Sequence, residues 1–89
     1  SDNKITQIRT ATENSRRVVL IKDSYGNAIP GYLFYSFEEI HVIDARYFNE
    51  NIKRYVAKHK ITDLILGNNI AFATSATTLN SYISFLTNR

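Results

Sequence analysis

The stretch that decides the fold is Val18-Val19-Leu20-Ile21, followed directly by Lys22-Asp23-Ser24-Tyr25-Gly26-Asn27. An unbroken apolar run rich in β-branched residues reads as a short strand buried on both faces, the mark of a parallel sheet. The polar cluster after it reads as a turn. Beyond the turn, Ile29, Leu33 and Phe37 recur four apart with Tyr32 beside them. That spacing predicts an amphipathic helix over 28–37, with Pro30 in the first turn, where a missing N–H costs little.

The alternation continues along the chain. Ile40-His41-Val42-Ile43 predicts a second strand ending at Asp44. After Ala45-Arg46-Tyr47-Phe48, Asn49 is a good N-cap, and Glu50 places negative charge at the positive end of a helix dipole. Ile52, Tyr55, Val56 and His59 then form one helical face, with Lys53, Arg54, Lys58 and Lys60 turned mostly to water. Leu64-Ile65-Leu66 is the third strand, closed by Gly67-Asn68-Asn69 as a turn, and a last helical period runs through Leu79, Tyr82, Ile83 and Leu86. Residues 4–14, with Ile5 and Ile8 on one side, are expected to form a leading helix. The aromatics Tyr32, Tyr35, Tyr55 and Phe85 are expected to be core contacts or contacts to a missing partner. The expected class is therefore α/β, with a parallel sheet of about three strands and right-handed crossovers. So thin a sheet leaves two edges open, which predicts pairing with further strands or with another copy of the chain.

Composition bounds what such a chain does. Its 89 residues make a single domain spanning 1–89, and 44% apolar with 21% charged residues is ordinary globular usage. The net charge of +3 comes from basic residues scattered between Lys4 and Arg89. That scatter suits solubility rather than a nucleic-acid footprint, which clusters on one face. With no cysteine, disulfides, thiolate nucleophiles and cysteine-based zinc sites are excluded. No apolar run reaches the roughly 20 residues that span a bilayer, so no membrane contact is expected of this segment. No metal cluster or phosphate-binding glycine fingerprint is present, and no cofactor is expected. Methionine is absent even from position 1, so the expectation is a segment of a longer polypeptide.

In an open parallel sheet, chemistry gathers at the carboxyl ends of the strands. Three polar segments fall there: Asp23-Ser24-Tyr25-Gly26-Asn27, Asp44-Ala45-Arg46-Tyr47 and Gly67-Asn68-Asn69. Ser24 is the nucleophile candidate, placed between a buried strand and a helix whose N-terminus stabilises an oxyanion, with Gly26 easing the backbone toward a substrate. On base rates, a serine in that place is more often a cap or turn residue. It is not the Gly-x-Ser-x-Gly elbow, because Lys22 takes the first glycine's place. Asn69 is the second candidate, its carboxamide a donor to an oxyanion, with Gly67 allowing close backbone approach. The competing reading is a plain turn. Arg46 and Tyr47 are candidates for binding an anionic substrate, against the plainer reading of an exposed loop over a packed aromatic. Neither histidine is an obvious base: His41 lies within a strand, and His59 at a helix end, where the dipole favours positive charge. A serine hydroxyl without a base is a poor nucleophile.

Three ordered blocks, Val18–Asn27, Ile40–Phe48 and Asp63–Asn69, resemble the C-terminal part of bacterial DHHW proteins. Those belong to the wider SGNH/GDSL hydrolase-like superfamily and are similar to the alginate O-acetyltransferases. The match covers roughly residues 17–72. The resemblance implies a partial flavodoxin-like three-layer fold, with this chain the C-terminal segment of a longer SGNH-like domain. It also implies acyl-ester chemistry, the transfer or removal of acetyl groups on a carbohydrate substrate. Within it Ser24 matches the nucleophile, with Asp23, Gly26 and Asn27 supporting, and Gly67 with Asn69 matches the oxyanion block. The Asp-His-His-Trp motif that supplies the base is absent here, so the segment by itself is expected to be inactive. An extracytoplasmic parent, secreted or membrane-anchored, is implied by the resemblance alone. The alternative is a non-catalytic α/β binding or scaffold module of a bacterial surface protein, using the first loop to hold an anion.

Overall fold

The computed structural model describes residues 5–22, 29–44, 51–66, 69–72, 80, 81, 83 and 84. The strands are β1 (Ile5–Arg9), β2 (Arg17–Lys22), β3 (Glu39–Asp44), β4 (Asp63–Leu66) and β5 (Asn69–Phe72), and the helices α1 (Leu33–Ser36) and α2 (Asn51–Lys58). They form one five-stranded sheet in the order β1-β3-β2-β4-β5. The expected parallel trio is present, since β2 pairs in parallel with both β3 and β4. The sheet as a whole is mixed, because β1 joins β3 and β5 joins β4 antiparallel. The class is therefore α/β, with two strands more than expected.

The order of the trio explains the helical cover. The chain leaves β2 for β3 on one side and returns from β3 to β4 on the other. Right-handed crossovers in opposite directions put their connections on opposite faces. Accordingly, Leu33 and Phe37 pack with Val18, Leu20, Ile40 and Ile65 on one face. On the other, Ile52 and Val56 of α2 pack with Val19, Ile21, Ile43, Ile61, Leu64 and Ile83. Val18-Val19-Leu20-Ile21 is at most 4% exposed along its length, as a strand covered on both sides must be.

Three local expectations are corrected. The leading helix over 4–14 is instead β1. Ile5 and Ile8, three apart, fall on opposite sides of a strand: Ile8 packs on the α1 face, while Ile5 stays 36% exposed. Pairing with β3 outweighs the weak helical period. The helix over 28–37 contracts to the four residues of α1. Tight bonds from the N–H of Leu33 to Pro30 O and of Phe34 to Gly31 O precede it. Phe37 is already extended at φ −134°, ψ 142°. Leu33 and Phe37 are buried as their spacing requires, but Tyr32 and Tyr35 are 54% and 84% exposed and are not core. The third correction is β5. Residues expected to close a loop begin a strand, with Asn69 opposite Leu66.

α2 matches its expected period and ends in a Schellman motif. The Lys60 N–H donates to Ala57 O and the Ile61 N–H to Val56 O. The left-handed position belongs to Lys60 at φ 54°, where glycine is usual. At the amino ends of the strands, the loop between β1 and β2 is stitched down by side chains. The Thr10 hydroxyl donates to Phe37 O at 2.6 Å, and Asn14 Nδ2 to Ser36 O at 2.9 Å. The Asn14 and Ser15 N–H groups both donate to Glu38 Oε1. Asp63, 4% exposed, receives Arg16 at 2.9 Å and the Thr62 hydroxyl at 2.6 Å, while the Arg16 guanidinium lies 4.6 Å from the Phe37 ring centre.

Candidate functional site

The parallel trio carries its carboxyl ends to one rim. Lys22 is the register partner of Asp44, and Ile21 of both Ile43 and Leu66. The three polar segments picked out in the sequence therefore depart from neighbouring strands at the same edge. β2 lies between β3 and β4, so the strand order reverses at it, and a crevice outside the carboxyl ends at such a point is the general ligand site of open α/β sheets. Asn69 enters at this rim too, as the first residue of β5 opposite Leu66. Two sheet spacings separate its backbone from that of Ile21, about 10 Å.

Of the candidate residues, the description reaches only Asn69, and of that its backbone. Asp23, Ser24, Gly26, Asn27, Arg46, Tyr47 and Gly67 lie outside the described residues, as do Asn49, Glu50 and Phe85. The helix expected over 28–37 is the four residues of α1 from Leu33, too few aligned peptide dipoles to lend the expected support to Ser24.

The histidines sit elsewhere. His41 is fully buried in the middle of β3, opposite Val19, about 10 Å below the end of β2. Its Nδ1 lies 2.5 Å from the Tyr55 hydroxyl and its Nε2 3.0 Å from Glu39 Oε1. Burial, with the nearby Glu39 charge, pushes the Tyr55 hydroxyl up to about 12 against a hydrogen bond from Gln7. Tyr55 therefore keeps its proton, and both contacts are satisfied in the His41 tautomer whose Nδ1 accepts from the Tyr55 hydroxyl and whose Nε2–H donates to Glu39. His59, just past α2, stacks on Tyr55 with ring centres 4.1 Å apart. Burial, His41 and Lys58 hold the His59 pKa below the usual imidazole value, with Glu39 opposing. Sequence reasoning missed this cluster. Its signal was a histidine inside an apolar strand, together with Tyr55 and His59 sharing the buried face of one helix.

Glu39 also reaches Arg9 at 3.4 Å and Arg17 at 3.8 Å. Two open grooves of about 350 and 210 Å³ lie along β1 and the loop after it, lined by residues from Gln7 to Glu13 with Glu38 and Glu39. Neither includes a candidate residue. Among the described residues no group of three His, Cys, Asp or Glu side chains is placed to hold a metal, and no helix is long and apolar enough to cross a membrane. No family model matches the chain, and neither a curated protein nor a solved structure shows significant similarity to it.

Proposed function

We propose that the chain carries the nucleophile and oxyanion parts of an SGNH-like serine esterase or O-acyltransferase acting on carbohydrate acetyl esters. Ser24 Oγ attacks the acyl carbon and gives up its proton to a base outside these residues, while Asn69 Nδ2 with the Ser24 N–H holds the negative charge on the carbonyl oxygen. The ester C–O bond then breaks to release the protonated carbohydrate hydroxyl and leave an acyl-serine. Arg46 and Tyr47 face the substrate, and a flavodoxin-like arrangement continues around the parallel trio. The observation that supports this reading is the register: the segments holding Ser24, Arg46 and Asn69 start from the aligned carboxyl ends of β2, β3 and β4. No base is assigned among these residues, since both ring nitrogens of His41 are engaged in the interior. The 89 residues alone are accordingly expected to turn over acetyl esters at or near the background rate.

The test is a fluorophosphonate probe applied to the native polypeptide that contains these residues, with the adduct located by mass spectrometry. The adduct is expected on Ser24 and absent from Ser24→Ala. Labelling that persists in Ser24→Ala removes the proposal.

A second reading has its own support in the inward-turned histidines: a non-catalytic module that associates with itself through the outer edges of β1 and β5. Sedimentation equilibrium separates the two. A dimer whose formation is blocked by Thr6→Lys on β1, together with no probe adduct, favours the module.

A further inference from the structure

β1 ends the sheet on one side. The Thr10 N–H donates to Glu38 O at 3.0 Å, continuing the ladder in which Arg9 stands opposite Glu39. In an antiparallel ladder, alternate residues turn their N–H and C=O to the neighbouring strand. Thr10, Ile8 and Thr6 therefore face β3 with their backbones, and Ile5, Gln7 and Arg9 present theirs at the outer edge. Nothing within β1 guards that edge in the usual ways. Its sequence, Ile-Thr-Gln-Ile-Arg, has no proline and no lysine, and it pairs with β3 residue for residue, without a bulge. Its one charge, Arg9, is matched within the chain by Glu39 at 3.4 Å and Glu38 at 3.9 Å.

The edge is complementary to itself. Two β1 strands meeting across a two-fold axis at Gln7 run antiparallel, with Gln7 opposite Gln7 and each Ile5 opposite the partner's Arg9. Every outward N–H and C=O of Ile5, Gln7 and Arg9 then bonds to the other strand. A slide of two residues either way carries Arg9 or Ile5 of each chain past the end of the other β1. Like charges do not meet in this register. The two Arg9 positions are four residues apart along the ladder, about 14 Å, beyond the ~10 Å range of exposed charges at 0.1 M salt. Ile5, 36% exposed, comes beside the aliphatic stem of the partner's Arg9. The groove of about 210 Å³ lined by Gln7, Ile8, Arg9 and Glu39 lies on the same stretch of β1, where the added strand enters.

We propose that the chain forms a two-fold dimer by antiparallel pairing of β1 with the β1 of a second copy, centred on Gln7, which joins the two five-stranded sheets into one. The inference rests on the self-association given above as the second reading. It goes beyond that reading in assigning one edge and one register, in which the β5 edge takes no part. It does not depend on the acyl-transfer chemistry, since no residue of that site belongs to β1.

The chain has no cysteine, so single cysteines report the register without background. Residues opposite each other in a bonded pair have Cα atoms about 5.5 Å apart, within disulfide reach, and positions four residues out of register do not. Under mild oxidation Gln7→Cys is expected to link to itself. Ile5→Cys and Arg9→Cys are each expected to stay unlinked alone, and to link position 5 to position 9 when mixed. Sedimentation equilibrium is expected to show a dimer for the wild type and a monomer for Gln7→Pro. Proline at that position removes only an outward N–H and keeps the pairing with β3, which an unchanged far-ultraviolet circular dichroism spectrum verifies. Should Gln7→Pro lose its fold, the cysteine pattern decides. A monomeric wild type overturns this inference together with the second reading. A dimer that persists in folded Gln7→Pro, or whose single cysteines link at 5 or 9 as readily as at 7, overturns the β1 register and leaves association through another edge standing.

Discussion

Replacing Tyr55 by Phe removes one oxygen atom and leaves the ring in place, so no cavity adds to the effect. What is lost is the donor to His41 Nδ1, 2.5 Å away, on a side chain with no solvent exposure. A buried acceptor left without a partner costs about 1 to 3 kcal/mol. At about 2.1 cal/mol/K of unfolding entropy per residue, an 89-residue domain has about 0.19 kcal/mol/K in all, so the expected fall in Tm is about 5 to 15 °C. The assay is thermal and urea unfolding of wild type and Tyr55→Phe at pH 7.5, followed by far-ultraviolet circular dichroism. The alkaline limb adds a second, independent signature. Because the folded chain holds the phenol proton up to about 12 rather than 10, wild-type stability present at lower pH is lost as pH rises from about 10 toward 12. Phe has no proton to lose, and the gap between the two proteins should narrow across that window. A loss below about 0.5 kcal/mol at pH 7.5, within the range of an ordinary surface substitution, refutes the hydrogen-bond assignment.

Lys60→Gly should raise stability by about 0.5 to 1 kcal/mol, because the position closing the Schellman motif is left-handed at φ 54°; a lower urea midpoint in the variant counts against that account. Glu38→Gln should flatten the acid limb of stability. The backbone N–H of Ser15, followed in smaller measure by that of Asn14 and by the charges of Arg17 and Arg9, outweighs desolvation and holds the Glu38 carboxyl below its ordinary 4.5. Its contribution is therefore present above pH 4.5 and lost as the pH falls further, and identical acid limbs in wild type and variant would sink the assignment.

The parallel trio and α2 were legible because each carries one unambiguous period. A continuous branched run makes a strand buried on both faces, and Ile52, Tyr55, Val56 and His59 make one helical face. β1 was not, because a spacing of three between Ile5 and Ile8 is compatible with a helix face and equally with a strand that points one isoleucine to each side. Only pairing with β3 decides, and pairing is not written in local sequence. β5 had a usable signal, the two turn-forming residue types Gly67 and Asn68 separating Leu64-Ile65-Leu66 from Asn69-Ile70-Ala71-Phe72, the length of the commonest hairpin connection. The α1 segment announced Leu33 and Phe37 as buried, but not its length or the exposure of Tyr32 and Tyr35. The Glu39–His41–Tyr55–His59 cluster was hidden for another reason. Its members come from β3 and α2, and a cross-element hydrogen bond has no fixed sequence spacing.

The move of Asn69 from a loop to the start of a strand bears directly on the proposed chemistry. An oxyanion donor is useful in proportion to how firmly it is held before charge develops, and a residue entering a ladder opposite Leu66 has a fixed backbone where a loop residue does not. The same placement sets a demand on Ser24. The backbone of Asn69 stands two sheet spacings from that of Ile21, about 10 Å, with the end of β4 between them. A reacting carbonyl must lie about 3 Å from both the serine oxygen and its donors, so Ser24 Oγ and Asn69 Nδ2 have to come within about 6 Å of each other. Two residues beyond Lys22 extend about 7 Å. That closes the gap only when the chain after β2 leans across β4 rather than back over β3. The acyl-transfer reading therefore requires Ser24 to lie nearer Asn69 than Asp44. An experimental structure with Ser24 on the β3 side of β2 would leave the serine without that donor, and the proposed chemistry could not then proceed through Asn69.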